Sequence, residues 1–439
     1  YTRRDMVPWG DTSPKLAGVF QRKKPQKGRN IRSFILLSLL LLNLFVFGGQ
    51  LKDSFFHKES RAANLNQVDK ISNGLVPTPN HIGKIPISFQ AVKQNKYIQI
   101  NSNNEIIYSV DVALQKYAEK VLRDYRVPYG VVVALEPNTG RILALAGYSR
   151  YYKSKAKNMG LCFRASFPAA SIIKLVTASA ALELDSLTPE SQISYEGNMY
   201  HITPQKLRKK INRRQNTTSF AMALAKSNNV AFAKVAVNVV GSRNLTDYAQ
   251  RFGFNRTLAN HLPVEISKAH IPGEFYGLGE SGAGFGEIYM SPIHGTMIAA
   301  TIANKGEMVQ PHLIQEVRDR KGNILYQAQK KSLGRAIQPD TARELDRMMQ
   351  GTITLGTARK AFKDRRGRPF FPNMAIAGKT GSLNGNNPRG AYHWFVGFAP
   401  ADNPRIAIAA LVINSIDGGG WRIKGSQLAR MVLQKYFSK

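Results

Sequence analysis

The strongest constraint on the fold is that strand-type sequence occurs at two distant points of this 439-residue chain. Residues 130–135 and 141–146 are apolar runs of strand length, and the turn residues at 136–140 between them predict an antiparallel hairpin. The same signature returns near the C-terminus, at 374–378, 392–398 and 406–413. Helix-type patterns fill the interval. We therefore expect an α+β sandwich, in which one antiparallel sheet from both ends of the domain is flanked by helices and an all-helical region is inserted between its halves.

An uncharged, mostly apolar run over 33–51 lies upstream of these patterns. Its nineteen residues are close to the roughly 20 that a helix needs to cross a bilayer core. Residues 1–32 hold nine basic and two acidic residues, an excess of +7, so the positive-inside rule predicts a cytoplasmic tail followed by one transmembrane helix. A cleaved signal peptide is the alternative, although the run exceeds the roughly 7–15 residues of a signal's apolar core.

The exported part is expected to consist of a linker and one packed domain. Residues 52–105 are polar, rich in asparagine, lysine and glutamine, and typical of a tether with at most a strand or two. Apolar residues then recur at helical spacing over 110–122. We therefore predict an extracytoplasmic linker over 52–105 and a single domain over 106–439.

Charge and composition restrict the class of partner. The chain has 62 Lys+Arg against 28 Asp+Glu, a formal net charge of +34, which predicts attraction to a polyanion. Because most of this charge lies in the exported part, anionic lipid or an anionic wall polymer fits better than nucleic acid, and a merely solvated basic surface stays open. Cys162 is the single cysteine and no Cys/His cluster has zinc spacing, so we expect no disulfide, metal or cofactor. The glycine-rich stretch at 282–286 lacks a preceding strand and is interpreted as a structural turn rather than a nucleotide loop.

A Ser-x-x-Lys tetrad, Ser171-Ile-Ile-Lys174, is the first of three motifs that indicate chemistry. It stands at the start of an apolar helical run, where free backbone N–H groups favour a developing negative charge. Lys174 lies one turn along on the same face as Ser171, within reach of its hydroxyl. A serine needs a base to remove its proton, and a lysine can be that base only when burial or a second cation lowers its pKa. None of the eight histidines fits a triad pattern, although a capping serine beside a solvated lysine would give the same tetrad.

The other two motifs are Ser227-Asn-Asn229 and Lys379-Thr-Gly-Ser382. The first lies between two apolar helical stretches and predicts a loop that faces a cleft, with a plain capping pair as the alternative. The second ends a β-type run, where a glycine permits close approach of another backbone. A substrate peptide along that strand edge would gain main-chain hydrogen bonds, and Lys379 would supply the second cation near Lys174.

With these motifs in order, the chain resembles the penicillin-binding transpeptidase family, whose signature is Ser-x-x-Lys, Ser-Asp-Asn and Lys-Thr-Gly. Stretches that resemble the sequence around those motifs in the family are 109–115, 134–146 and 391–400. The resemblance covers roughly residues 105–435, but Ala169-Ala170 replaces the Pro-Gly that many members have before the nucleophile.

The resemblance implies a β-lactamase/transpeptidase-like fold and a D,D-transpeptidase that cross-links peptidoglycan stem peptides ending in D-Ala-D-Ala. It also implies inhibition by β-lactams and partnership with other cell-wall synthesis proteins. The catalytic domain would then be extracytoplasmic or periplasmic, held by a single span in the bacterial cytoplasmic (inner) membrane.

The resemblance also implies a catalytic role for four motif residues. Ser171 would be acylated by the penultimate D-Ala, with Lys174 as its general base. Ser227 would relay a proton to the leaving amine, and Lys379 would tune the electrostatics of the site.

Four further residues are implied to bind the substrate. Asn229 would hydrogen-bond the substrate amide, while Thr380 and Ser382 would hold the substrate carboxylate. Gly381 belongs to the same set. The backbone N–H groups of Ser171 and Ser382 would form the oxyanion hole.

Other functions share parts of this pattern. A D,D-carboxypeptidase differs in that water, not an amine, accepts the acyl group, and the sequence does not separate the two. A serine β-lactamase needs a base for deacylation, and no Glu-x-x-Leu-Asn-like segment lies between Asn229 and Lys379. A non-catalytic β-lactam sensor or wall-binding scaffold would retain Ser171 and Lys174 as well.

Overall fold

A computed structural model of the chain describes residues 87, 89–101, 103–208, 215–416 and 423–438. The predicted tail at 1–32, the predicted span at 33–51 and much of the predicted linker lie outside these residues. No helix among the described residues has the length and apolar character to cross a bilayer.

The described residues contain the following strands, most of which are short. They are β1 (Ala91–Lys93), β2 (Lys96–Ile100), β3 (Asn104–Asp111), β4 (Tyr129–Leu135), β5 (Ile142–Ser149), β6 (Phe167–Pro168), β7 (Gln192–Tyr195), β8 (Asn216–Ser219), β9 (Lys268–Ala269), β10 (Ile288–Met290), β11 (Glu307–Val309), β12 (Ile314–Asp319), β13 (Ile324–Gln327), β14 (Ser332–Arg335), β15 (Ala377–Asn386), β16 (Arg389–Ala399) and β17 (Ile406–Asn414).

The helices of the described residues lie mainly between β5 and β15. They are α1 (Val112–Asp124), α2 (Lys155–Gly160), α3 (Lys174–Glu183), α4 (Pro204–Leu207), α5 (Phe220–Ala225), α6 (Asn229–Val235), α7 (Gly241–Arg251), α8 (Phe275–Ala283), α9 (Pro292–Ala303), α10 (Pro339–Thr354) and α11 (Gly425–Phe437). A π-helical stretch at Ala236–Val240 joins α6 to α7, and 3₁₀ turns lie at Ala170–Ile173 and Arg359–Phe362.

A five-stranded antiparallel sheet joins the two ends of the domain, which confirms the predicted architecture. Its order is β15-β16-β17-β4-β5, so the N-terminal hairpin β4–β5 pairs with the C-terminal strand β17. The register places Ile408 opposite Ala134. Because β15 stands at the end of this order, its outer edge pairs with no other described strand.

Both faces of this central sheet are buried. Successive side chains of a strand point to opposite faces, and those of β17 belong to two different apolar clusters. In β17, Leu411 and Ile413 belong to the apolar cluster that includes α3 and α9. Ile408 and Val412 belong to the second cluster, which includes α1 and α11. Helices therefore cover the sheet on both sides, as the α+β sandwich requires.

One expectation from the sequence is wrong. The inserted region is not all-helical, because β12 and β13 join β1, β2 and β3 in a second five-stranded sheet and further short strand pairs occur in it. Residues 91–105 of the predicted linker, which was expected to hold at most a strand or two, contribute β1, β2 and the first residues of β3 to that sheet, where Tyr97 and Ile98 are buried. These strands carry too few alternating apolar residues to be recognised from the sequence.

The fold predicts unequal effects for two isoleucine truncations. Ile408 is fully buried in the cluster with α1 and α11, so Ile408→Ala should lower the free energy of unfolding by about 2–5 kcal/mol through lost burial and a cavity. Ile324 is 54% exposed, so Ile324→Ala should change it by about 0.5 kcal/mol or less. Urea unfolding followed by circular dichroism measures both, and equal losses would contradict the assignment of Ile408 to the core.

Candidate active site

Ser171 lies in the 3₁₀ turn Ala170–Ile173, which leads directly into α3. Its side chain is half-buried, whereas Ile172 and Ile173 are fully buried and anchor the turn in the core. Ala170 has φ +48°, a left-handed conformation that favours glycine and costs other residues roughly 1–2 kcal/mol. Ala169-Ala170 therefore enters the helix through a strained turn, and the serine stands at the first turn of a buried helix.

Gly284, at the C-terminal end of α8, packs against this turn. It caps α8 in the left-handed conformation, with φ +103°. A Cβ at this position would lie 2.3 Å from the carbonyl oxygen of Ala170 and 2.9 Å from the backbone nitrogen of Ser171, so no other residue fits. The stretch at 282–286, interpreted as a structural turn, thus packs against the turn that holds Ser171.

The Lys174 side chain is fully buried and reaches the Ser171 hydroxyl. Its Nζ lies 2.8 Å from Ser171 Oγ. Desolvation by burial holds the pKa of Lys174 well below the ordinary lysine value of 10.5, and the charge of Lys379 lowers this pKa further. Lys174 therefore meets both requirements for a base, which are proximity to the hydroxyl and a neutral amine at moderate pH.

The other neighbours of the Lys174 amine restrict the direction from which it could accept a proton. Asn229 Oδ1, at 2.8 Å, and the carbonyl oxygen of Ala283 both accept hydrogen bonds from Nζ. Asn229 Nδ2 donates to the carbonyl oxygen of Tyr200 at 3.0 Å, which orients its amide. A neutral amine has two N–H groups, and these two acceptors use both. Its lone pair is then left for the proton of the Ser171 hydroxyl.

Ser227 and Asn229 flank the start of α6 and both face the cleft. Asn228, between them, caps α6 by accepting a hydrogen bond from the backbone N–H of Ala231. Ser227 adopts a positive φ of +56°, which places it in the turn between α5 and α6. The cleft-facing loop and the capping pair, which were alternatives in the sequence, are thus both present.

Lys379 is the second fully buried cation of the site. Its Nζ donates hydrogen bonds to Ser227 Oγ and to the carbonyl oxygen of Thr380, both at 2.8 Å. Desolvation by burial lowers the pKa of Lys379 to about 7. The contact with Ser227 connects the second and third motifs directly.

The remaining residues of the third motif lie within β15, which begins two residues before Lys379, so the prediction that this motif ends a strand is wrong. The hydroxyls of Thr380 and Thr357 form a hydrogen bond. Ser382 Oγ lies 3.4 Å from His393 Nδ1 on β16. Burial and the nearby charge of Lys424 lower the pKa of His393 to about 4, so this histidine is neutral at pH 7.

Gly381 does not line the cleft with its neighbours. It is buried beneath the 3₁₀ turn Ala170–Ile173, where a Cβ would lie 3.3 Å from the Cβ atoms of Ala170 and Trp394. Gly381 therefore permits close packing of β15 against the turn.

The motif residues surround one cleft with a volume of about 310 Å³. Ser171 and Ser227 line it, and the substrate-binding candidates that also line it are Asn229, Thr380 and Ser382. Lys174 and Lys379 lie behind these residues, fully buried. Among the described residues, no group of three His, Cys, Asp or Glu side chains is placed to hold a metal ion.

Six further residues that line the cleft were not singled out from the sequence. They are Tyr200, Thr357, His393, Trp394, Lys424 and Ser426. His393 and Trp394 belong to the stretch at 391–400 that resembles the family, which was a usable signal. The others carried no signal, because they lie in loops or near helix ends without a motif around them.

Comparison with known proteins relates this fold to one family. The penicillin binding protein transpeptidase domain matches residues 130–431. Peptidoglycan D,D-transpeptidase PbpA of Mycobacterium tuberculosis is 28% identical over 325 residues, which covers 66% of this chain and 62% of that protein. Peptidoglycan D,D-transpeptidase MrdA of Haemophilus influenzae is 24% identical over 448 residues, which covers 85% of this chain and 65% of that protein. The chain thus spans less than two thirds of the length of these relatives.

Solved structures show the same fold. Penicillin-binding protein A from M. tuberculosis, as its penicillin G acyl-enzyme complex, has a TM-score of 0.61 and 25% identity, covering 77% of this chain and 80% of that chain. The transpeptidase domain of Burkholderia pseudomallei penicillin-binding protein 3 has a TM-score of 0.59 and 20% identity, covering 75% of this chain and 95% of that chain. Because the family match extends over residues 130–431 and includes all three motifs, this chain belongs to the penicillin-binding protein transpeptidase family.

Proposed function

We propose that this chain is a serine D,D-transpeptidase that cross-links peptidoglycan through an acyl-enzyme at Ser171. The observation that carries the proposal is the buried Lys174 amine, whose pKa lies well below the ordinary value and whose Nζ is 2.8 Å from Ser171 Oγ. The names of the relatives PbpA and MrdA support the same activity. The substrate would be a peptidoglycan stem peptide that ends in D-Ala-D-Ala, and β-lactams would act as its mimics.

Acylation begins when Ser171 Oγ attacks the carbonyl carbon of the penultimate D-Ala while its proton passes to Lys174. Negative charge then develops on the carbonyl oxygen, which the backbone N–H groups of Ser171 and Ser382 would stabilise. The peptide C–N bond breaks, and the proton that Lys174 took from Ser171 passes to the leaving amine through Ser227, which Lys379 contacts. The terminal D-Ala departs and leaves an ester on Ser171.

Transpeptidation follows when an acceptor amine attacks this ester. The new amide bond forms, the C–O bond to Ser171 breaks, and Ser171 regains a proton from Lys174. The same groups act in the reverse order, as microscopic reversibility requires. A water molecule in place of the amine would give carboxypeptidase activity.

The position of β15 suits an extended peptide substrate. Its outer edge pairs with no other described strand and lies beside the nucleophile turn. A stem peptide along this edge would form main-chain hydrogen bonds, as in other cases of strand addition. Asn229 would contact the substrate amide across the cleft, while Thr380 and Ser382 would hold its terminal carboxylate.

The proposed location is the outer surface of the bacterial cytoplasmic membrane. It rests on the uncharged run at 33–51 and the basic tail at 1–32, which favour one span with the domain outside. The substrate and any other cell-wall synthesis proteins would meet the enzyme there, and nucleic acid would not.

The nucleophile assignment predicts the loss of covalent labelling in Ser171→Ala. The full chain should be labelled by a fluorescent penicillin, and the variant should not, because no other hydroxyl lies 2.8 Å from the Lys174 amine in the described residues. Ser179→Ala removes a buried serine of the same helix, whose hydroxyl donates only to the carbonyl oxygen of Leu175, and should label normally. Equal labelling of wild type and Ser171→Ala on a denaturing gel would refute the assignment.

The electrostatics of the two lysines predict how the acylation rate depends on pH. Lys174 acts as a base only when neutral, so the second-order rate constant for penicillin acylation should rise with pH through a pKa well below 10.5. Lys379→Met removes a cation that lowers the pKa of Lys174. The rising limb of the plot of acylation rate against pH should therefore move to higher pH in this variant. Lys379→Arg keeps the positive charge and should leave the limb at lower pH than Lys379→Met does. Coincident limbs in the two variants would contradict the coupling.

The lining of the cleft predicts a long-lived penicilloyl-enzyme. Among the described residues that line it, none is Asp or Glu, so no carboxylate there can activate water for deacylation. Nitrocefin turnover by the purified chain should therefore stay below ~1 s⁻¹, under the range of typical enzymes. Faster turnover would indicate a β-lactamase instead.

A further inference from the structure

A second cavity, of about 690 Å³, adjoins the active-site cleft. The two share three lining residues, Thr357, Lys424 and Ser426. The Thr357 hydroxyl forms a hydrogen bond with the Thr380 hydroxyl of the third motif. The cavity therefore opens at the end of the cleft where Thr380 stands.

The charges around this cavity are all positive among its described lining residues. Arg359 and Lys360, from the 3₁₀ turn Arg359–Phe362, line it together with Lys424, and no Asp or Glu does. The side chains of Arg359 and Lys360 are exposed. Neither side chain has an ion-pair or hydrogen-bond partner among the described residues. Two uncompensated cations in a concave surface favour a ligand that carries carboxylates.

The chemistry of the proposed transpeptidation specifies which substrate approaches from this side. The leaving D-Ala has its carboxylate at Thr380 and Ser382, so its amine departs toward that end of the cleft. By microscopic reversibility, the acceptor amine attacks the acyl-enzyme from the position that the leaving amine vacated. The rest of the acceptor molecule must then extend beyond Thr380, which is where the second cavity opens.

We infer that this cavity is the acceptor subsite, in which Arg359 and Lys360 bind carboxylates of the incoming stem peptide. The inference rests on the proposed function and adds a location and a charge preference for the second substrate. Lys424, at the junction of cleft and cavity, would lie between the donor carboxylate and the acceptor.

The test is a transpeptidation assay with the full chain, a pentapeptide donor that ends in D-Ala-D-Ala, and two acceptors. One acceptor is the tetrapeptide L-Ala-γ-D-Glu-L-Lys-D-Ala, whose lysine amine is free, and the other is the same peptide with both carboxylates amidated. The double variant R359Q/K360Q should raise the half-saturating concentration of the free-carboxylate acceptor about tenfold, because two charge-assisted contacts are lost. It should not change that of the amidated acceptor.

The matched control is K153Q/K155Q, which removes two exposed lysines at α2, beside the edge strand β5 at the opposite end of the sheet from β15. It changes the net charge equally and should behave as wild type. The rate of penicillin labelling should be the same in all three proteins, which verifies folding and the Ser171 chemistry. Reversing the charges in R359E/K360E should raise the half-saturating concentration of the free-carboxylate acceptor further.

The possible results separate the two proposals. If R359Q/K360Q labels normally but keeps the wild-type response to both acceptors, the subsite is wrong and the transpeptidase proposal stands. An equal loss with both acceptors would also overturn the subsite, since charge would then not be what the cavity recognises. If the wild-type chain is not labelled by penicillin, the proposed function fails and the subsite fails with it.

Discussion

Burial of two lysine side chains at one cleft is the constraint on which the rest of the site depends. An ammonium group loses its hydration when it is buried, so the charged form is disfavoured and its pKa falls. Lys174 and Lys379 are both fully buried, and their neighbours are hydrogen-bond acceptors rather than carboxylates. A carboxylate beside the amine of Lys174 or of Lys379 would stabilise the charged form of that lysine and raise its pKa. The absence of acidic residues from the described cleft lining therefore favours the neutral amine that the proposed attack by Ser171 would require.

The fold produces this arrangement by bringing together segments that are distant in sequence. The nucleophile turn and α3 follow the N-terminal hairpin, whereas β15 enters the same sheet more than two hundred positions later along the chain. The turn between α5 and α6 contributes Ser227, and the end of α8 contributes the carbonyl of Ala283 and the close contact of Gly284. Each of these segments is anchored in the larger apolar cluster, so the polar atoms of the site are positioned by a rigid core.

The sequence predicted the parts of this structure that have a regular period or a fixed spacing. The hairpin β4–β5 and the strands β16 and β17 follow from long apolar runs, and the three motifs identify the residues that meet at the cleft. Short strands of the inserted region, such as β12 and β13, were not predicted, because a few residues do not establish a period. Thr357 and Lys424 were not predicted from the sequence for a different reason. Their importance arises from their positions beside Thr380 and Ser382, and no local pattern records a contact between segments so far apart.

The same charge distribution bears on the fate of the acyl-enzyme under the proposed function. Hydrolysis needs a base that can take a proton from water, whereas an amine attacks through its own lone pair and loses a proton only afterwards. Delivery of the Ser171 proton to the leaving amine would return Lys174 to its neutral form, and Ser227 stands beside Lys379, so a route for protons from the acceptor amine would exist without any carboxylate. Positive charge at Arg359 and Lys360 would then concentrate a carboxylate-bearing amine next to the ester. Discrimination between amine and water would therefore come from electrostatic attraction of the carboxylate-bearing amine to this end of the cleft.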